Sequence, residues 1–496
     1  MSLSTTLSIA QSALAADAAL STIVSRNIAG VNDGDYSAKT GQVETTIDGR
    51  VRLAAVRGAS DDALFGHLLG AQSAAAAAKA VSAGLGQLEG TLGLATTTAA
   101  DGRATDASPA TLLGDLAGAV GSYAASPADQ TLGRAAVGAA KALAASLNTS
   151  AANVQGVRAQ ADKAIATAVA TVNTLLAQFG AANSAVMSAT ARGADATDAI
   201  DSRNAVLKSL SSQLGISTAE AGQGGLALYT DGGATLFQGT ARTVAFTPTP
   251  TYTSAVTGVA VTVDGVPVTG ANATMASKSG AIAGLAELRD TTAAAYGDQL
   301  DQIAGGLVTA FAESDQTGGG APTIAGLFTD GGTTALPTSV AGLAARLTVS
   351  ASVDPSRGGA VTLLRDGGVN ANGDTRYNAN ATGGASYSVH LNATLAGLDG
   401  TRTFDPASGG AARGSLADYA ASSVSWLEGS RQAASTAAAD KAAAVTATTA
   451  SLSSATGVNL DEQLSEMLDL EHSYQASAEL MTTVKSMRDA LLAAVN

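Results

Sequence analysis

The residues best equipped for chemistry in this 496-residue chain are few and scattered. Its three histidines, His67, His390 and His472, form no His-x-His or His-x-x-x-His pair. A metal site would therefore need carboxylate partners that the spacing does not supply, and each histidine reads as a surface or boundary residue. Neither the Gly-x-Ser-x-Gly nucleophile elbow nor a Walker-type Gly-Lys-Ser/Thr occurs. The run Asp366 to Asp374 outlines a calcium loop but lacks the glutamate at its twelfth position and the flanking helices, so it reads as a turn. Two helical stretches place an acid within three residues of an arginine: Asp201 with Arg203, and Glu287 and Asp290 with Arg289. Such pairs are solvated or tie neighbouring helices, contributing about a few tenths of a kcal/mol each. The residues thus predict no catalytic group, no cofactor and no metal, and direct attention to the elements that carry them.

Composition restricts those elements. Charged residues are 14% and aromatics 3%, and long runs are almost wholly Ala, Ser, Thr and Gly. Ala buries little apolar surface, so stability must come from many shallow helix contacts, and a long, slender architecture is expected over a globule. The length suits about three or four domains of ~150 residues. A net charge of -14 with no dense basic cluster makes nucleic acid a poor partner. The absence of cysteine suits any compartment. The first basic residue is Arg26, so a cleavable secretory signal is not expected, and no run of bulky apolar residues predicts membrane insertion.

Periodicity then predicts a chain that begins and ends helical. Leu3, Leu7, Ala10 and Leu14 step like a coiled-coil seam, while Ile9, Ala13, Ala16, Leu20 and Ile23 form a second stripe on the same helix. Two apolar faces on one helix call for neighbours on both sides. A reversal near Gly30 leads to a strand or hairpin over 43–56, with Asp48-Gly49 as its turn. Helix is predicted over 61–94 and 135–183, the second carrying the seam Ile165, Val169, Val172, Leu176 and Phe179. Loops are expected at 96–109 and at Ser126-Pro127, with Ser126 as N-cap and Pro127 at the first helical position. A helix over 195–214 gives way to strand-like pieces over 225–268, helix returns at 282–311, and 317–410 reads as β-rich, with Ser386 to Leu391 as one alternating piece. Helix resumes from Ser415 to about Leu452 and, after a break at Gly457, in a terminal helix capped by Asn459.

The predicted fold is mainly α with β inserts: an elongated, multi-helix, coiled-coil-like core built from both termini, with two small β-rich domains projecting from it. Its divisions are 1–60 (terminal helix and hairpin), 61–198 (helical core), 199–281 (helix and first β-rich domain), 282–316 (return to the core), 317–410 (second β-rich insert) and 411–496 (C-terminal core and terminal helix).

At this point the residues resemble a known family. Asn27-Ile28-Ala29-Gly30-Val31-Asn32-Asp33-Gly34-Asp35-Tyr36-Ser37 is similar to the rod-hook-filament signature of bacterial flagellar axial proteins, with Gly30 where Asn is usual and Asp33-Gly34-Asp35 in place of Thr-Pro-Gly. Asp201 and Arg203, Arg289 and Asp290, and Gly457-Val458-Asn459-Leu460-Asp461-Glu462 resemble, in order, segments of the hook-associated protein 1 family of the hook-filament junction. The resemblance implies a non-enzymatic structural subunit of the flagellum, exported through the type III apparatus with a cytosolic chaperone on the C-terminal helix. It implies self-assembly at the hook tip, with hook protein on one side and a further hook-associated protein on the other, outside the cell. Leu3, Leu7, Leu14, Ile28, Leu464, Leu468, Val484 and Leu491 are the expected assembly contacts, on end helices expected to stay mobile in a free copy for want of partners. The alternatives are another axial subunit, flagellin-like or hook-like, and beyond these a surface adhesin or a glycan hydrolase carried at the tip.

Overall fold

The computed structural model describes residues 3–90 and 107–495. The chain opens with α1 (Leu3–Gly30), a hairpin of β1 (Lys39–Thr45) and β2 (Val51–Gly58), then α2 (Asp62–Glu89), α3 (Pro109–Ala125), α4 (Gln130–Ala191) and α5 (Thr197–Gln213). A first β region holds β3 (Ile216–Glu220), β4 (Leu226–Thr230), β5 (Thr235–Gln238) and β6 (Thr240–Ala241), antiparallel in chain order, and a second small sheet of β7 (Val244–Ala245), β8 (Thr262–Val263) and β9 (Val266–Pro267). Helix returns as α6 (Ala281–Glu287), a π-helical turn over Leu288–Thr292, and α7 (Ala293–Ala310). There follow β10 (Phe328–Asp330), α8 (Leu343–Arg346), β11 (Leu347–Val349), α9 (Thr362–Asp366), α10 (Val389–Asp399), β12 (Arg402–Thr403) and β13 (Arg413–Gly414). The chain closes with α11 (Leu416–Thr456) and α12 (Leu460–Val495).

The 62-residue α4 is the axis on which the rest is built. Ala-rich sequence favours so long a helix, because Ala loses least on entering it. Its seam, Leu143, Leu147, Val154, Ile165, Val172, Leu176 and Phe179, is wholly removed from water, each large side chain contributing about 1.5–3 kcal/mol by transfer alone. The first half of that seam shares a core with α3, α7 and the residues of 325–404. The second half shares another with α5 and the first β region. Both β regions are thus rooted on one helix. Its mean hydropathy would also suit a membrane span, as would that of α1, but in α4 the apolar side chains are spent on these two cores.

Turn chemistry departs from the sequence reading at one helix start. Ser126 and Pro127 do not open α4. Ser126 ends α3, and Asp129 caps α4 by accepting from the Thr131 N–H at 2.7 Å, a carboxylate being a strong acceptor beside the positive helix end. The loop expected at 96–109 lies outside the described residues as far as 106. The second insert is also less β-rich than its Gly and Thr content suggests, holding only short pairs (β10 with β11, β12 with β13) among turns and short helices. The alternating piece Ser386 to Leu391 runs into α10, since Leu391, Thr394 and Leu398 recur at helical spacing and are the residues that become buried. Conversely β3, pairing with β4 from Ile216↔Thr230 to Glu220↔Leu226, lies where the sequence reading stopped at Gly215.

Candidate assembly face and its polar junctions

The two terminal helices run antiparallel side by side. Asn27 Nδ2 donates to Gln463 Oε1 at 2.7 Å and Ser473 Oγ donates to Asp17 Oδ2 at 3.0 Å, so α12 descends along α1 as α1 rises. The ends expected from sequence to lack partners are thus paired with each other: each helix supplies one of the faces the other lacked. The hairpin supplies α1 with its other neighbour. Ile9 lies over Gly49, and Leu20 and Ile23 lie over Gly41, while Ser12 Oγ accepts from the Val51 N–H at 3.0 Å.

That pairing leaves much of α12 uncovered. At about 100° per residue, Gln463, Leu470 and Val484 share the side that faces α1, and all three are buried. Leu460, Leu464 and Leu468 fall on one flank of that side, and Leu480, Met487 and Leu491 on the other. These six are 41–57% exposed, and Tyr474 and Leu492 stand open with them. Rows of large apolar side chains left exposed on both flanks of a single helix mark surfaces open to partners. Of the expected contact residues, Leu464, Leu468 and Leu491 lie on these open flanks, Leu3, Leu7, Leu14 and Ile28 are half-buried on α1, and Val484 is covered at 5% exposure within the chain.

The base of the pair is locked by a polar junction. Asn27 is fully buried and uses all its capacity: Nδ2 donates to the Lys39 carbonyl and to Gln463, and Oδ1 accepts from the Lys39 N–H and the Tyr36 hydroxyl. The Lys39 ammonium lies 3.6 Å from the centre of the Tyr36 ring and pairs with Asp201 at 2.6 Å and Asp198 at 3.3 Å. Ser37 also donates to Asp201, Arg26 bridges Asp195 and Asp198, and Lys208 holds Asp35. One further bond, Ala38 N–H to the Thr456 carbonyl at 2.8 Å, brings in the end of α11. Asn459 Oδ1 accepts from the Asp461 and Glu462 amides and so caps α12. The signature residues Asn27, Tyr36, Asp201 and Asn459 thus meet where α1, the turn after it, α5, α11 and α12 converge. Asn32 is exposed outside this node, as is Leu460.

Arg203 and Arg289 act elsewhere. Arg203 Nη1 donates to the Gly224 carbonyl at 2.6 Å and to Asn183 at 3.3 Å, fixing the β3–β4 loop to the end of α4. Arg289, wholly buried, pairs with Asp162 at 2.6 Å and with both oxygens of Asp290. It also donates to the Val259 carbonyl, while Asp162 accepts from the Tyr252 hydroxyl and the Thr249 amide. Arg158 completes the clamp by donating to the carbonyls of Arg289, Thr253 and Val256. Gly258 is required here, because a Cβ at that position would stand 2.1 Å from the guanidinium. Lys39, Arg158, Asp162, Tyr252 and Gln463 escaped the sequence reading. Arg158 carried a legible signal, since it extends the α4 seam backward from Ile165 in steps of four and three and so is a cation in an apolar position.

Two buried carboxylates, Asp301 on α7 and Glu313 just past its end, hold the second insert. Asp301 accepts from the amides of Gly342 and Ala344, and burial pushes its pKa up to about 6. Glu313 accepts from Val369 N–H, has His390 Nε2 at 3.9 Å, and is pushed by burial up to about 7. The calcium-like run spends its own acids: Asp366 is held by Arg365 and Asp374 by Arg376.

Comparison with known proteins places these features. The sequence model of the flagellar hook-associated protein FlgK helical domain matches residues 100–326, and that of the flagellar basal body rod FlgEFG protein C-terminal segment matches residues 452–494. The second match covers nearly all of α12. No curated protein gives a significant match. Among solved structures, the flagellar hook junction protein FlgK from Burkholderia pseudomallei is similar at 19% identity with a TM-score of 0.42, over 54% of this chain and 47% of that one. The similarity thus spans about half the length of that protein.

Proposed function

From the premise that this chain belongs to the flagellar hook-associated protein FlgK family, we propose that it is a structural subunit joining hook to filament in the bacterial flagellum. It assembles at the hook tip by covering the open flanks of α12. The observation that carries this reading is the α1–α12 pair, in which α12 is covered along one side and left apolar and open along both flanks of that side. Burying six half-exposed leucine-sized side chains against adjoining copies would supply several kcal/mol per subunit, enough to offset much of the cost of ordering on arrival.

In this reading the partners are further copies of the chain, hook protein below and another hook-associated protein above. The subunit passes through the export channel unfolded, with a cytosolic chaperone shielding α12 beforehand. Leu3, Leu7, Leu14, Ile28, Leu464, Leu468 and Leu491 belong to the assembly layer, whereas Val484 serves the pair within one copy. Immunolabelling of isolated flagella tests the location: the label should fall at the hook-filament boundary, and label along the filament or on the cell body would refute it. Leu491→Asp tests the mechanism. It should lower incorporation into flagella at unchanged melting temperature, and a fall in melting temperature would make Leu491 a core residue instead.

A further inference from the structure

The outer face of the β1–β2 hairpin carries an arginine row that the chain neutralises only in part. The register shifts between Gln42 and Val43, which pair with Ala55 and Leu53 respectively, so β2 carries a bulge. A bulge adds one residue to one strand and resets which side chains share a face. Here it brings Arg50, Arg52 and Arg57 to the face opposite Leu53, the residue that approaches Gly41 beside α1. All three arginines are exposed. Among the described residues only Arg52 has a salt bridge, to Glu44 at 2.9 Å, with both side chains more than half exposed.

The complementary surface lies on α12. From Asp461 to Glu479 the helix holds six acids and no Lys or Arg, and none of the six forms a salt bridge among the described residues. Glu462, Glu466 and Asp469 line the same flank as Leu480 and Leu491 at about 100° per residue. The gap from Glu462 to Glu466, ~6 Å along a helix, matches that from Arg50 to Arg52, ~7 Å along a strand.

The two surfaces cannot meet within one copy. Val51 bonds Ser12 on α1, whereas Gln463 bonds Asn27. Fifteen residue steps of α1 put the Arg50–Arg52 end of the row ~22 Å from the level of Glu462, and Arg57, nearer that level, faces away from α1 as the other two do.

We propose that the hairpin's arginine face docks on the Glu462–Glu466–Asp469 edge of α12 in a second copy of this chain. The proposal rests on the assembly reading above. Charge complementarity fixes register in such contacts more than it adds affinity, so it places one copy against the next while the leucines supply attraction.

The absence of cysteine gives a background-free test in cells that express only the altered chain. Arg52→Cys and Glu466→Cys, combined in one chain, should yield a dimer of this chain when isolated flagella are treated with a short bis-maleimide, and each single variant should not. Arg50→Glu with Arg52→Glu should reduce incorporation about fivefold, and adding Glu462→Arg with Glu466→Arg should restore it to within about twofold. Incorporated protein without the dimer, a cross-link to a protein of different size, or loss of incorporation without rescue would overturn the docking proposal and leave the assembly reading standing. Absence of the unaltered chain from flagella would overturn both.

Discussion

Helices α4 and α12 are both long and carry a seam of large apolar residues, yet they end in opposite states. In α4 the seam from Leu143 to Phe179 is sealed inside two cores of the same chain. In α12 only Gln463, Leu470 and Val484 reach full cover, and the other large apolar residues stand half-open. On the proposed assembly, stability of the copy and attraction between copies are written into different helices. A substitution in α4 should unfold the subunit, whereas one on the open flanks of α12 should leave it folded and unable to join.

The largest expected effect is at the buried ion pair that anchors the first β region to α4. Asp162→Ala leaves the wholly buried Arg289 with Asp290 as its remaining carboxylate and removes the acceptor of the Thr249 amide and of the Tyr252 hydroxyl, which keeps only Thr249 Oγ1. Removal of one partner of a buried pair costs about 3–5 kcal/mol, to be read as a lowered denaturation midpoint. An unchanged midpoint would mean that α4 is not the axis of stability.

Next come matched truncations on the two helices. Leu176→Ala should cost about 2–5 kcal/mol in the isolated chain, and Leu468→Ala within about 0.5 kcal/mol, as for an exposed site. Comparable losses at both would erase the distinction between the helices. At the junction between them, Asn27→Ala removes four hydrogen bonds and orphans buried groups, for about 1–3 kcal/mol, and should loosen α12 selectively in hydrogen exchange.

The smallest effect is a pH dependence of the second insert. Glu313 holds its proton more firmly in the folded chain, with a pKa of about 7 against an ordinary 4.5. Its contribution is complete below the ordinary value and is lost as pH rises through about 7. Burial holds the pKa of His390 below its ordinary 6.5, which acts in the opposite sense on the acid side. Above about pH 6.5, where the histidine no longer opposes it, the insert should therefore lose a further ~1 kcal/mol or less, and the loss should level off by about pH 8; Glu313→Gln should flatten that slope. A slope unchanged in the variant would place the titrating group elsewhere.

Periodicity makes the helical frame legible in the sequence. The Ile165 to Phe179 seam, the stop near Gly30, the hairpin turn at Asp48-Gly49 and the break at Gly457 all rest on local spacing or turn chemistry that tertiary packing did not override. The second insert was not legible in the same way, because Gly- and Thr-rich segments with few large apolar residues carry no clear period. Leu391, Thr394 and Leu398 show their helical spacing only once one knows which residues face α3 and α7. The polar junctions were hidden for another reason. Lys39 and Asp201 are distant in sequence, and nothing in a single chain's residue order announces that an ammonium will be buried against that carboxylate. The pairing of α1 with α12 is half legible: two stripes on α1 call for two neighbours, but both of them, α12 and the hairpin, belong to the same copy.

The most direct test of the division between the helices uses one cysteine in a chain that has none. Leu468→Cys should react with a maleimide at the rate of a free thiol in the soluble subunit and at least about tenfold more slowly in isolated flagella. Equal rates in the two states, or a thiol already protected in the lone subunit, would contradict the claim that the open flanks of α12 are covered by assembly.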